Sequence, residues 1–101
     1  MKRMLIVPAL ALTLAFAASA ALAAYGKSVY TAKCQSCHGA DGTKSLMSKP
    51  VKGMKAPAAL AAMKGYKAKT YGGAKKATME NLAAQMSDED IKAVADYIGT
   101  L

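Results

Sequence analysis

The pentapeptide Cys34-Gln35-Ser36-Cys37-His38 constrains the rest of the chain more than any other stretch. Two thiols separated by two residues can each add across one of a haem's neighbouring vinyl groups, giving two thioether bonds. The residue directly after the second cysteine is then carried beneath the iron. A neutral imidazole there is a natural axial ligand. His38 is the only histidine of the sequence. Competing uses of the cysteine pair fare worse. A redox disulfide of C-x-x-C type belongs with a βαβ pattern, and none surrounds this pair. A zinc site needs four ligands, and no second Cys/His pair exists to complete it. Two buried cysteines beside an incidental histidine would have no reason to keep this spacing. One covalent haem c, with its iron, is the expected cofactor.

That cofactor also answers a problem of size. A chain of 101 residues has room for one small domain. Its apolar fraction is 53%, but much of it sits in the first 24 residues, and the remainder is rich in Lys and Ala. Small domains with few bulky apolar side chains usually need a disulfide, a metal or a cofactor at their centre. Here both cysteines are committed to the ring, so the haem becomes the middle of the core.

Residues 1–23 have the pattern of a secretory signal. Lys2 and Arg3 form a positive start, Met4 to Ala18 an uncharged apolar run, and Ala18-Ser19-Ala20 and Ala21-Leu22-Ala23 two small-residue sites. Cleavage is expected after Ala23, leaving 24–101 as the mature domain in the periplasm. The same run, Met4 to Ala24, is long enough to span a bilayer if it is kept. Its small-residue end argues against that, so no stable membrane insertion is expected.

The mature region contains helical patterns and no strand-like alternation, which predicts an all-α fold. Tyr25 to Lys33 is a short helix on which Gly26 and Tyr30 share a face. Gly39 to Lys55 is loop, punctuated by Gly39, Gly42, Pro50 and Gly53. A ligating histidine usually donates its second ring N–H to a carbonyl, and Pro50 either supplies that acceptor or is a plain turn proline. Pro57 to Lys64 is a second helix, with proline in its first turn, Leu60 and Met63 on its apolar stripe and Gly65 just past its end. Tyr66 and Tyr71 come next, on a glycine-rich loop; they either line the haem pocket or cover the small core. Ala77 to Gln85 is a further helix. The last begins at the cap residue Ser87, carries Asp88, Glu89 and Asp90 in its first turn, and stops at Gly99. Ile91, Val94, Ala95 and Ile98 form its buried stripe.

The ligand opposite His38 separates an electron carrier from a small-molecule binder. Five methionines lie beyond the signal: Met47, Met54, Met63, Met79 and Met86. Met86 precedes the Ser87 cap and can pack on Ile91, and Met63 lies on a helix stripe, so packing accounts for both. Met47 and Met54 are close in sequence to His38, whereas Met79 comes after a glycine- and lysine-rich loop able to carry it round the ring. A thioether favours ferrous iron, and six-coordinate iron leaves no site for oxygen.

The stretches CQSCHGADGTK, KPVKG, MKGY, TYGG with its following KK, ATMEN and SDEDIKAVADYI resemble the class I cytochromes c. The resemblance is closest to the small monohaem c-553 cytochromes of sulfate-reducing bacteria and covers the mature region. It implies short helices wrapped around one covalently bound haem, with the first and last crossing through Gly26, Tyr30, Val94 and Tyr97. It places Met79 as the second axial ligand and Pro50 against the histidine. One-electron transfer in the periplasm, by a carrier rather than an enzyme, is the implied activity. Formate dehydrogenase or hydrogenase is the implied donor. An open-site gas sensor or peroxidase-like protein, and a membrane-anchored haem subunit, are the competing functions.

Charge bears on partners. Lys44, Lys49, Lys52, Lys55, Lys64, Lys67, Lys69, Lys75 and Lys76 lie between His38 and Met79, against Asp41 alone; the remaining acids come later. A lysine collar of this kind would steer the protein toward acidic docking patches on redox partners, whereas a merely solvated basic surface would not. Nucleic acid is not an expected partner: there is no binding motif and no arginine after the signal. A monomer is expected.

Overall fold

The computed structural model describes residues 20–44, 50–73 and 76–101, which form five helices and no strand. Helix α1 occupies residues 20–33, and α2, Gln35–His38, adds one turn after a break at Cys34. Helix α3 is Ala56–Ala68, α4 is Lys76–Ala84 and α5 is Asp88–Ile98. The expected all-α class is observed. The signal-like residues 1–19, together with Met47, Lys49 and Lys75, lie outside the described residues.

Helix α5 is the spine of the core. Its start is fixed by a reciprocal cap: the Asp90 N–H donates to Ser87 Oγ at 3.1 Å, and the Ser87 N–H donates to Asp90 Oδ2 at 3.4 Å. Three acids in the first turn suit the positive end of the helix dipole. Ile91, Val94, Ala95 and Ile98 are all buried, as the i, i+3, i+4, i+7 pattern requires. They pack with Val29, Tyr30, Ala59, Met63, Ala83 and Met86.

Helices α1 and α5 cross at Gly26. A Cβ on that residue would lie 2.3 Å from the Ala93 carbonyl oxygen and 3.3 Å from Tyr97 Cβ, so only glycine permits the approach. One turn on, the rings of Tyr30 and Tyr97 meet with centroids 5.3 Å apart at 50°. The Tyr25 hydroxyl donates to Asp90 Oδ1, which extends the crossing to the α5 cap.

Helix α3 corrects the expected boundary. It continues past Lys64 through Gly65 to Ala68 and closes on Lys69, whose φ of 62° is left-handed. Gly65 is therefore inside the helix, not past its end, and Tyr66 is on the helix rather than on a loop. The glycine serves packing: a Cβ at 65 would lie 2.5 Å from Tyr71 Cβ, where the chain folds back over the helix. Gly99 follows the last residue of α5, Ile98, as its expected stop. Its φ is −61°, and its missing side chain makes room for the Ala56 backbone nitrogen, 2.9 Å from a Cβ position.

Candidate functional site

The Cys-x-x-Cys-His residues form the turn that ends the first helical run. The Cys34 N–H donates to the Tyr30 carbonyl at 2.8 Å, and the His38 N–H donates to the Cys34 carbonyl at 2.9 Å. Helical geometry across Cys34 and Cys37 puts the two sulfurs on one face, three residues apart. The two thiols are not joined to each other, which leaves both available for thioether bonds. Cys34 is buried and Cys37 exposed; burial pushes the Cys34 thiol up to about 11.

Gly39 ends this turn with φ 83° and ψ 163°, a conformation open only to glycine. The Tyr30 hydroxyl donates to the Gly39 carbonyl at 2.6 Å, and the Lys44 N–H donates to the His38 carbonyl at 2.9 Å. His38 is thereby held between a clasp from α1 and the start of the next loop. Tyr30 is almost fully buried, and that burial raises its pKa to about 12, so it remains a donor.

His38 is half-buried, and desolvation lowers its pKa, so the imidazole is neutral near pH 7. Its Nδ1 is buried without a hydrogen-bond partner. A buried ring nitrogen without a partner is costly, so the surroundings of this imidazole are incomplete as they stand. The bond expected from the imidazole to the Pro50 carbonyl is not formed, and Pro50 itself is exposed. A neutral imidazole, two thiols on one helical face and a nitrogen awaiting a partner fit a covalently held haem.

The methionines separate by burial. Met63 and Met86 are buried in the cluster with Ile91, as their packing roles require. Met54 and Met79 are partly buried at its margin. Met79 is on α4, one turn from the start of the helix. Tyr66 is half-buried and meets the exposed Tyr71 edge-on, with ring centroids 5.0 Å apart at 86°. Desolvation raises the Tyr66 pKa.

Two contacts have no distinct signal in the sequence. Spacing marks Tyr30 as a crossing residue, but its hydroxyl bond to Gly39 depends on the left-handed turn at 39. Lys67, one of the collar lysines, points instead toward α5: its ammonium donates to the Met86 carbonyl at 2.8 Å and pairs with Asp88 at 3.3 Å. A cleft of about 440 Å³ opens beside it between α3 and α5, lined by Leu60, Lys64, Lys67, Ala68, Asp88 and Lys92. None of the cysteine, histidine or Met79 side chains lines that cleft, so it is not part of the haem site.

Comparison with known proteins agrees with this geometry. Residues 23–101 match the model of the Cytochrome c family. The chain is 48% identical over 103 residues to a cytochrome c-553 of Nitratidesulfovibrio vulgaris, covering all of both chains. It is also 48% identical over 75 residues to a cytochrome c-553 of Desulfomicrobium norvegicum, covering 74% of this chain and 94% of that one. With the attachment turn, the neutral imidazole and the helix crossing in place, the chain belongs to the cytochrome c family, and its work is to carry electrons on one covalent haem c rather than to catalyse a reaction.

Proposed function

We propose that the chain is exported, cleaved after Ala23, and serves in the periplasm as a diffusing one-electron carrier, accepting electrons from a formate dehydrogenase or a hydrogenase. The observation that carries this is the attachment turn itself: Cys34 and Cys37 on one helical face, ending at a neutral, half-buried His38. In this reading Cys34 and Cys37 would hold the ring by thioethers, and His38 and Met79 would bind its iron. The haem supplies a reversible one-electron iron couple. The chain's residues set its conditions: burial keeps the imidazole neutral, and a thioether from Met79 favours the ferrous state. Pro50 is assigned as the acceptor for His38 Nδ1 on the family resemblance alone, since that atom has no partner, Pro50 included, in this structure. Tyr66 and Tyr71 are assigned to the pocket wall, each with an apolar ring and a hydroxyl for a propionate.

Acid–acetone extraction and visible spectra test this. Haem should stay with the protein on extraction, and the ferrous form should bind carbon monoxide poorly at neutral pH. A colourless protein would overturn covalent attachment. Ready binding of carbon monoxide would favour the open-site sensor instead. Intact mass should show a chain starting at Ala24; recovery only from membranes with residues 1–24 present would favour the anchored subunit.

A further inference from the structure

We infer that Lys67 is a positioning residue for the axial methionine, acting through the end of the helix that bears it. This rests on the assignment of Met79 to the iron. Helix α4 carries Met79 and packs against α3. At its far end the chain turns through Gln85 and Met86 into the α5 cap, with the Gln85 and Met86 N–H groups donating back to Leu82 and Ala83. The Met86 carbonyl is reached by no backbone N–H among the described residues. Its donor is the Lys67 ammonium, 2.8 Å away, from the last turn of α3.

Charge supports the same role. The last turn of α4 has no basic residue of its own, so nothing on that helix offsets the negative end of its dipole. The Lys67 ammonium meets the chain two residues past that end, at the Met86 carbonyl. Asp88, at the positive end of the next helix, takes its second contact at 3.3 Å. The Asp88 side chain is 86% exposed, which makes that ion pair the weaker half of the arrangement. The carbonyl bond is the one that fixes the α4–α5 junction to α3. Met86, whose side chain is buried, anchors the same junction from within. With its end held at two points, α4 can keep Met79 in register; without the ammonium the junction can shift while the α5 core stays packed.

The test uses the holoprotein. The near-red sulfur-to-iron charge-transfer band reports the Met79 bond, and far-ultraviolet circular dichroism reports the helices. In Lys67→Met, which keeps the aliphatic stem, the band should be lost at a clearly lower temperature than the helices. Lys67→Arg should restore the wild-type order. Amide exchange in the ferrous protein should quicken several-fold in α4 and remain unchanged in α5. Asp88→Asn, which leaves the carbonyl bond in place, should have little effect. A gap between loss of the band and loss of the helices no wider in Lys67→Met than in the wild type would overturn the inference, as would failure of Lys67→Arg or an equal effect of Asp88→Asn. A wild type without the band, or a band that survives Met79→Ala, would remove the axial assignment itself and this inference with it.

Discussion

The Tyr30 hydroxyl donates to the carbonyl of Gly39 at 2.6 Å, and the bond closes a loop of the chain around the whole attachment motif. Both partners are buried, so no water replaces the donor if it is removed. Tyr30→Phe keeps the ring against Tyr97 but leaves the Gly39 carbonyl without its donor. The expected cost is about 1–3 kcal/mol, the range for an unsatisfied buried acceptor. Denaturant unfolding of the holoprotein should show it as a lower midpoint at unchanged slope. An unchanged midpoint would mean that the carbonyl finds another donor.

Gly26 offers a sharper test of the helix crossing. Its hydrogen faces the Ala93 carbonyl, and a methyl group there would lie 2.3 Å from the oxygen. Gly26→Ala must push α1 and α5 apart, at a cost of about 1–3 kcal/mol or more. Gly73, where an added Cβ would meet nothing within 4 Å among the described residues, is the control. Gly73→Ala should change stability by no more than ~0.5 kcal/mol. Equal effects from the two substitutions would remove the crossing as the explanation.

Much of this arrangement was legible in the sequence, and the parts that were not have physical causes. The attachment turn was legible because covalent chemistry fixes its spacing. Helix α5 was legible because its capping residues and its stripe at Ile91, Val94, Ala95 and Ile98 point to the same element. The end of α3 was misplaced because Gly65 is a poor helix former, costing about 1 kcal/mol against alanine. Nothing local reveals that Tyr71, six residues on, needs the space. The role of Gly99 was hidden in the same way by Ala56. Lys67 is one lysine among many, and only the fold shows which carbonyl it meets.

The link between Tyr25 and Asp90 makes stability depend on pH in a predictable sense. The hydrogen bond from Tyr25 first, and then those from Ser87, hold the Asp90 carboxyl below its ordinary value. A depressed folded-state pKa contributes stability that is present above the unfolded value, near ~3.9, and lost as the pH falls through the lower folded value. Tyr25→Phe should therefore reduce stability at pH 7 and flatten its loss on acidification, leaving the Ser87 contribution. Thermal midpoints measured from pH 2 to 7 check this. A parallel offset at every pH would mean that the tyrosine contributes by packing alone.

If exposed lysines steer docking, the bimolecular electron-transfer rate with an acidic redox partner should fall as ionic strength rises. Lys52, Lys55 and Lys76 are exposed, whereas Lys67 is tied to Met86 and Asp88. Charge reversal of Lys55 and Lys76 together should slow the rate most at low salt. A rate indifferent to salt and to both substitutions would leave these lysines as solvated surface.

The methionines give the test that separates carrier from sensor. Met63 and Met86 are buried among aliphatic side chains, so each already has a packing role. Met79 is only partly buried, at the edge of the same cluster, on a helix reached through a lysine- and glycine-rich loop. Met63→Leu and Met86→Leu should keep the near-red band and cost under ~1.5 kcal/mol, as volume-conserving swaps do. Met79→Ala should abolish the band, admit carbon monoxide to the ferrous protein and lower the reduction potential, because the thioether that favours ferrous iron is gone. Lysines abound nearby and can enter a vacated position at high pH, so the measurement belongs near neutrality. If the band survives Met79→Ala, the ligand is another methionine, with Met54, partly buried at the same margin, the next to replace.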